Sequence, residues 1–131
     1  MKEIIFYKLP SGKSPIEDFL DSLSSKEAQK VIWVLSLIEE LETVSSKYYK
    51  KLVNTDDIIE VRVQIGKNHF RLLGFEDGSR FVVLTNGFKK KDQKVPKQEI
   101  KLAKQRKQDY LKRRKDNEWF KKIYTKKKSY W

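Results

Sequence analysis

The side chains able to do chemistry in this sequence are mostly cations, and the groups that commonly serve an enzyme are missing. There is no cysteine and a single histidine, so neither a disulfide framework nor a thiolate zinc site can be built. No glycine-rich phosphate loop, no serine–histidine–aspartate set and no carboxylate cluster with metal-ligand spacing occurs. What remains is Arg62, Arg71, His69 and the run Lys89-Lys90-Lys91. Arg62 alternates with Val61 and Val63, which turns it away from the core, and Glu60 shares its face. Arg71 stands in His69-Phe70-Arg71-Leu72-Leu73, where a charge among apolar neighbours needs a partner. If the strands carrying these residues pair as a meander, their cations converge.

Such a cluster suits RNA cleavage by transesterification. The ribose 2′-hydroxyl attacks the adjacent phosphate, charge builds on the phosphate oxygens and then on the leaving 5′-oxygen, and fixed guanidinium groups oppose it where it develops. In-line positioning of the nucleotide supplies much of the remaining acceleration. No metal or other cofactor is implied. Histidine is the residue type that ordinarily exchanges a proton near neutral pH, which makes His69 the candidate base. Structural uses compete for each residue. Glu60 and Arg62 also fit a plain cross-strand ion pair, Arg71 a tether for the tail or a helix end, and His69 a solvated turn residue. Tyr48 and Tyr49 fit either base stacking or packing on the helices.

The elements that must position these groups can be read from periodicity. Ile4-Ile5-Phe6-Tyr7 reads as a strand. Ser14-Pro15-Ile16-Glu17 and Ser24-Ser25-Lys26-Glu27 each open a helix with a capping serine and a glutamate three residues on. The second helix predicts a stripe of Ala28, Val31, Ile32, Leu35, Ile38 and Leu41, and the two helices together predict a hairpin. Residues 43–57 are polar and ambiguous. Ile59, Val61, Val63 and Ile65 then alternate with polar residues as a half-buried strand. Further strands are expected over 70–75 and 81–85, with turns at Gly66-Lys67-Asn68 and Asp77-Gly78, and Asn86-Gly87 closing the last. Pro96 opens a helix to about residue 115 with Ile100, Ala103, Lys107, Tyr110 and Leu111 inward. The order β-α-α-β-β-β-α predicts an antiparallel-rich α+β domain, its helices on one sheet face, over residues 1–115. A basic aromatic tail, 116–131, carries Trp119, Phe120, Ile123 and Tyr124 at helical spacing.

The bulk numbers fit this reading. The 131 residues suffice for one domain, and 37 % of them are charged. The net charge of +12 is lopsided: residues 1–87 hold 12 Lys and Arg against 13 Asp and Glu, and residues 88–131 hold 18 against 5. A polyanionic partner for one end or face is the expectation. No signal-peptide core or bilayer-length apolar run is present, so a cytoplasmic protein that avoids membranes is expected.

The same residues resemble a known family. Glu60-Val61-Arg62-Val63 followed by Asn68-His69-Phe70-Arg71-Leu72-Leu73 resembles the paired "E-L-R-x" and "x-Y-R-x-x-Y" strands of phage-derived HigB-type toxins, of the RelE/ParE superfamily. The segment Gly87-Phe88-Lys89-Lys90-Lys91-Asp92-Gln93-Lys94-Val95-Pro96-Lys97-Gln98-Glu99-Ile100 is similar to their "G-F-x-K-K-x-x-K-T-P-x-x-E-I". The helix Lys101-Leu102-Ala103-Lys104-Gln105-Arg106-Lys107 resembles "x-A-x-x-R". The resemblance covers about residues 3–115. It implies a microbial RNase-type fold, ribosome-dependent cleavage of messenger RNA with ribosomal RNA contacts, inhibition of translation, and a helix-turn-helix antitoxin of the HigA type. It matches Arg71 to the arginine at the scissile phosphate, Arg62 to the basic position on the preceding strand, and Lys90, with Lys89 or Lys91, to the basic residue after the last strand. Lys89, Lys91, Lys94 and Lys97, with Lys50 and Lys51, are the expected RNA-binding lysines. Phe70 and Phe75 stand where the family has tyrosine, Val95 replaces threonine, and no tyrosine follows the last strand. Two other readings stay open: a ParE-like inhibitor of DNA gyrase that acts by binding, and a non-catalytic nucleic-acid-binding protein.

Overall fold

The computed structural model describes residues 2–114. Its elements are β1 (Glu3–Phe6), α1 (Pro15–Asp21), α2 (Ser25–Glu40), β2 (Tyr49–Lys51), β3 (Ile58–Ile65), β4 (Asn68–Asp77), β5 (Phe81–Lys89) and α3 (Lys97–Arg114). The five strands form one sheet in the order β1-β5-β4-β3-β2. β1 runs parallel to β5, and every other pairing is antiparallel. This is the expected α+β architecture with one strand added, the short β2 inside the ambiguous segment. The tail from residue 116, with its aromatic residues, lies outside the described residues.

Both helix starts form as their sequences predict. Ser14 caps α1 by accepting from the Glu17 N–H, with Pro15 in the first helical turn. Ser24 and Glu27 close a reciprocal capping box on α2, which satisfies two amide donors that the helix end would leave bare. The inner stripe of α2 differs from expectation at mid-helix and at its C-terminal end. Val34 is buried, whereas Leu41 is exposed, because the helix stops at Glu40 and Leu41 turns extended as its C-cap.

The helices do not share one sheet face. One face buries Ile4, Phe6, Ile59, Val61, Val63, Phe70, Leu72, Val82 and Leu84 beneath α1 and α2. The alternate residues Ile5, Tyr7, Ile58, Leu73, Phe75 and Val83 face the other way and pack with Ala103 and Tyr110 of α3. The sheet is therefore the middle layer, apolar on both sides along most of β4 and β5. Rather than forming an isolated hairpin, α1 packs on β5, α2 packs on β3, and both touch β1.

Two glycines on β4 and β5 explain where the strands bend and continue. A β-bulge falls at Leu73/Gly74, and a Cβ on Gly74 would sit 2.0 Å from the Val83 carbonyl oxygen. Asn86-Gly87, expected to end the last strand, instead lies within β5, which runs on to Lys89. Asn86 is buried and donates to the backbone carbonyl and carboxylate of Glu99 on α3. Gly87 lies under the Phe19 ring, which a Cβ would approach to 2.6 Å. That extension carries the lysine run onto the sheet.

Polar contacts, two of them partly buried, fix α3. Arg106 donates to the Thr85 carbonyl at 2.7 Å, Lys107 to the Asp56 carbonyl at 2.8 Å, and Tyr110 to Asp77. Arg106, the arginine of the "x-A-x-x-R" pattern, thus pins α3 to β5. The helix covers the sheet from Asn86 towards Asp77 and leaves the end carrying His69, Arg71 and Lys90 open.

Candidate active site

Arg62 and Arg71 are direct register partners across β3 and β4, and Gln64 and His69 form the next pair with their side chains on the same face. Glu60 joins the two arginines. Its Oε1 accepts from Arg62 Nε at 2.7 Å, and its Oε2 lies 3.3 Å from Arg71 Nε. The second contact is an ion pair without hydrogen-bond alignment, since Arg71 Nε has no hydrogen-bond acceptor. Arg71 is instead oriented by its Nη1, which donates to the Phe70 carbonyl at 3.0 Å. Glu60 is 1 % exposed, Arg71 is 8 % exposed, and the Arg62 side chain keeps 34 % of its surface in solvent.

Two guanidinium groups share one carboxylate, so the trio retains a positive charge. Burial holds the Arg71 guanidinium below the usual arginine range; Glu60 works against that shift and Arg62 adds to it. An arginine stays protonated at neutral pH regardless. A half-buried, undercompensated guanidinium pair gains by taking up an anion, because a partly desolvated charge without a full complement of partners is costly.

Two open hollows meet at Arg71 and His69. One, of about 450 Å³, runs past Arg62 and Gln64 to Tyr48, Lys47 and Lys30. The other, of about 470 Å³, is bounded by Lys90, Lys91, Asp92 and Gln93. The Lys90 N–H donates to the His69 carbonyl at 2.7 Å, which fixes the exit of β5 beside this hollow. Arg62, Arg71, His69, Lys90 and Lys91 therefore gather at one end of the sheet.

The other expected lysines are dispersed. Lys89 pairs with Phe70, so it points to the α1/α2 face, where the Ser24 backbone N–H chiefly holds the Glu27 carboxyl below its usual range and the Lys89 charge adds a small share. Lys50 pairs with Glu60 on the arginine face but borders neither hollow. Lys51 faces the other way, paired with Asp57 and Glu76 at the far edge. Lys94 and Lys97 are exposed around the start of α3, outside both hollows. The phenylalanines at the family's tyrosine positions are core residues: Phe70 packs edge-on against Phe19 and Phe75 against Tyr110. Phe70 points to the face opposite Arg71, so a hydroxyl there would lie across the sheet from the arginines. Tyr49 is also a packing residue; its hydroxyl donates to Glu76 at 2.9 Å, and burial followed by that carboxylate pushes its phenol well above the usual range.

Residues not singled out as site groups from the sequence also line the first hollow, namely Lys30, Lys47 and Gln64, together with Tyr48, which the sequence left between base stacking and packing on the helices. Lys47-Tyr48 leads directly into β2, but three residues are too few for alternation to show. Among the described residues, no group of three or more His, Asp or Glu side chains is arranged to hold a metal ion. No helix among them is long and apolar enough to cross a membrane.

The sequence profile of the family described as Phage derived protein Gp49-like (DUF891) matches residues 18–108. The chain belongs to the Gp49-like family. Every gathered cation of this Gp49-like protein falls inside the matched span, as do α2, all of β2 to β5 and most of α3. The Gp49-like family is a phage-derived, toxin-like family of toxin–antitoxin systems, related to the RelE/HigB group. No curated protein matches this Gp49-like chain.

Proposed function

We propose that this Gp49-like protein is an endoribonuclease of the RelE/HigB kind, the toxin of a toxin–antitoxin pair, which cuts messenger RNA held on the ribosome and so inhibits translation. The observation that carries the reading is the meeting of Arg62 and Arg71 across β3 and β4, held by one buried carboxylate and flanked by His69 and Lys90. Family membership supports the toxin class.

In this mechanism a phosphodiester enters between the two hollows. Arg71, oriented by the Phe70 carbonyl and Glu60, contacts the non-bridging oxygens, and Arg62 supports it from the neighbouring strand. The 2′-oxygen attacks phosphorus as its proton passes to the His69 imidazole. The bond to the 5′-oxygen breaks, that oxygen takes a proton from water, the His69 imidazolium returns its proton to solvent, and a 2′,3′-cyclic phosphate and a 5′-hydroxyl end result. Lys90 offsets charge on the leaving oxygen. The protein's own cations supply the electrostatic stabilisation, which in such sites is usually the largest contribution. Glu60 is a positioning residue here, because its carboxylate is enclosed by both arginines.

Residues 1–115 form the toxin unit in this reading, and the basic segment 116–131 adds attraction to ribosomal and messenger RNA. Action on ribosomes places the protein in the cytoplasm. Its partner is a HigA-like helix-turn-helix antitoxin whose acidic or apolar surface covers the basic end of the sheet. The test is incubation of the purified protein with ribosomes carrying a defined messenger RNA. Internal cuts with cyclic-phosphate ends are expected, and Arg71→Ala abolishes them. Intact RNA together with inhibited gyrase supercoiling would instead assign the fold to the ParE-like class.

A further inference from the structure

The hollow that begins at Arg71 continues around the outer edge of the sheet. β2 begins at Tyr49, level with Val61, so beyond Arg62 only the outer side of β3 has no described strand beside it, β4 lying on the other side. The hollow passes that edge and reaches Tyr48, Lys47 and Lys30. Tyr48 stands edge-on to Trp33 of α2, with ring centres 5.8 Å apart and planes at 84°. Lys30 Nζ lies 4.7 Å from the centre of the Trp33 ring, and Lys47 Nζ lies 5.4 Å from that of Tyr48. Trp33 is 46 % exposed, one of few large apolar side chains so exposed among the described residues.

A lone exposed apolar side chain is ordinary on a protein surface. Here, however, the tryptophan is joined to a second ring and two ammonium groups, and Tyr48, Lys30 and Lys47 line the far part of the hollow that starts at the guanidinium pair. Stacking rings interleaved with cations are the chemistry of a single-stranded nucleic-acid track, where bases lie on aromatic faces and phosphates meet lysines. We propose that Trp33 and Tyr48, with Lys30 and Lys47, form a stacking subsite for RNA bases flanking the phosphate held at Arg71. The subsite rests on the nuclease reading for its substrate but is a separate binding surface. Bases have π-faces of every kind, so the subsite adds affinity and reach without a strong base preference. Its two lysines give a salt-dependent share of binding. The uncovered edge of β3 lets the strand pass from one sheet face towards the other.

The test separates binding from cutting. Binding is measured by fluorescence anisotropy with a labelled single-stranded RNA of about ten nucleotides, 2′-O-methylated so that it cannot be cleaved. Cleavage is measured in parallel on ribosome-bound messenger RNA. Trp33→Leu and Tyr48→Leu are each expected to weaken oligonucleotide binding about tenfold; Trp33→Tyr restores most of it. Lys30→Gln with Lys47→Gln is expected to flatten the dependence of binding on salt. Trp33 is at the surface, and an unchanged thermal midpoint shows that its variants stay folded. Oligonucleotide binding unchanged in both leucine variants overturns the subsite, even if Arg71→Ala still abolishes cleavage; loss of antitoxin binding alone in those variants also overturns it, by making the patch a protein contact. Wild-type protein that binds through Trp33 without cutting any RNA leaves the subsite standing and removes the nuclease reading.

Discussion

Arg62 and Arg71 face each other across β3 and β4, and both guanidinium groups contact the carboxylate of Glu60. The three side chains differ greatly in exposure, so their removal has unequal consequences. Glu60→Ala leaves buried Arg71 without its anion, and loss of one partner from a buried pair costs about 3–5 kcal/mol. Arg71→Ala costs less, because Glu60 keeps its 2.7 Å bond to Arg62. Arg62→Ala, at a half-exposed position, costs least, about 1 kcal/mol. Urea unfolding of the three variants checks this order. A Glu60→Ala variant as stable as wild type would show that the carboxylate does not hold the pair.

Charge alone does not replace geometry at position 71. Arg71→Lys keeps a cation but loses the planar fork that donates to the Phe70 carbonyl while meeting an oxyanion. The expected outcome is a folded protein whose expression no longer arrests growth. Arg62→Ala is expected to weaken toxicity without abolishing it. Growth curves after induction, with protein levels measured beside them, give the result.

The two in-strand glycines predict a graded cost. In Gly74→Ala the new Cβ meets backbone, the Val83 carbonyl oxygen at 2.0 Å, so the bulge must shift and about 3 kcal/mol is lost. In Gly87→Ala it meets the Phe19 ring at 2.6 Å, a side chain that can turn, and the loss is nearer 1 kcal/mol. Thermal unfolding distinguishes them. The Gly87→Ala change also disturbs the approach to Lys90, so it is expected to lower activity more than stability.

Alkaline pH tests the clamp between β1 and α3. The Tyr7 phenol is pushed up to about 12 by burial, with the Asp109 hydrogen bond and charge adding to the shift and Arg113 opposing it. The folded state thus favours the protonated phenol. That contribution is complete below the unfolded tyrosine value near 10 and is lost as pH rises towards 12. The wild-type advantage over Tyr7→Phe is expected to shrink across that window. A difference that stays constant from pH 8 to 12 would show that Tyr7 does not titrate with folding.

Much of this was legible before the structure because local signals agreed. Ser14-Pro15 and Ser24 with Glu27 mark helix starts by chemistry that needs no tertiary context. Alternation over 59–65 assigned Arg62 and Glu60 to one face, and the turn at Gly66 brought Arg71 opposite. The remainder was hidden for physical reasons. β2 is too short to show a period and exists through its pairing with β3. Asn86-Gly87 has the composition of a turn, yet Glu99 and Phe19, distant in sequence, keep it in the strand. The three consecutive lysines look equivalent, but a strand alternates its side chains, so Lys90 lies with His69 while Lys89 points to the helices. The side of the sheet taken by α3 depends on the apolar residues Ile5, Phe75 and Val83, which are as apolar as those on the other face and give no direction. Lys30 reaches the hollow through the packing of α2 on β3, and Tyr48 through its carbonyl, which accepts from the Arg62 N–H of β3; no local pattern specifies either.

The central claim is that the Arg62–Arg71 pair cuts RNA. Mapping of messenger-RNA 5′ ends by primer extension shortly after induction tests it most directly. New internal ends are predicted with the wild-type chain, and none with Arg71→Ala at equal protein level. Transcripts left whole while growth stops, or equal cutting by Arg62→Ala combined with Arg71→Ala, would contradict it.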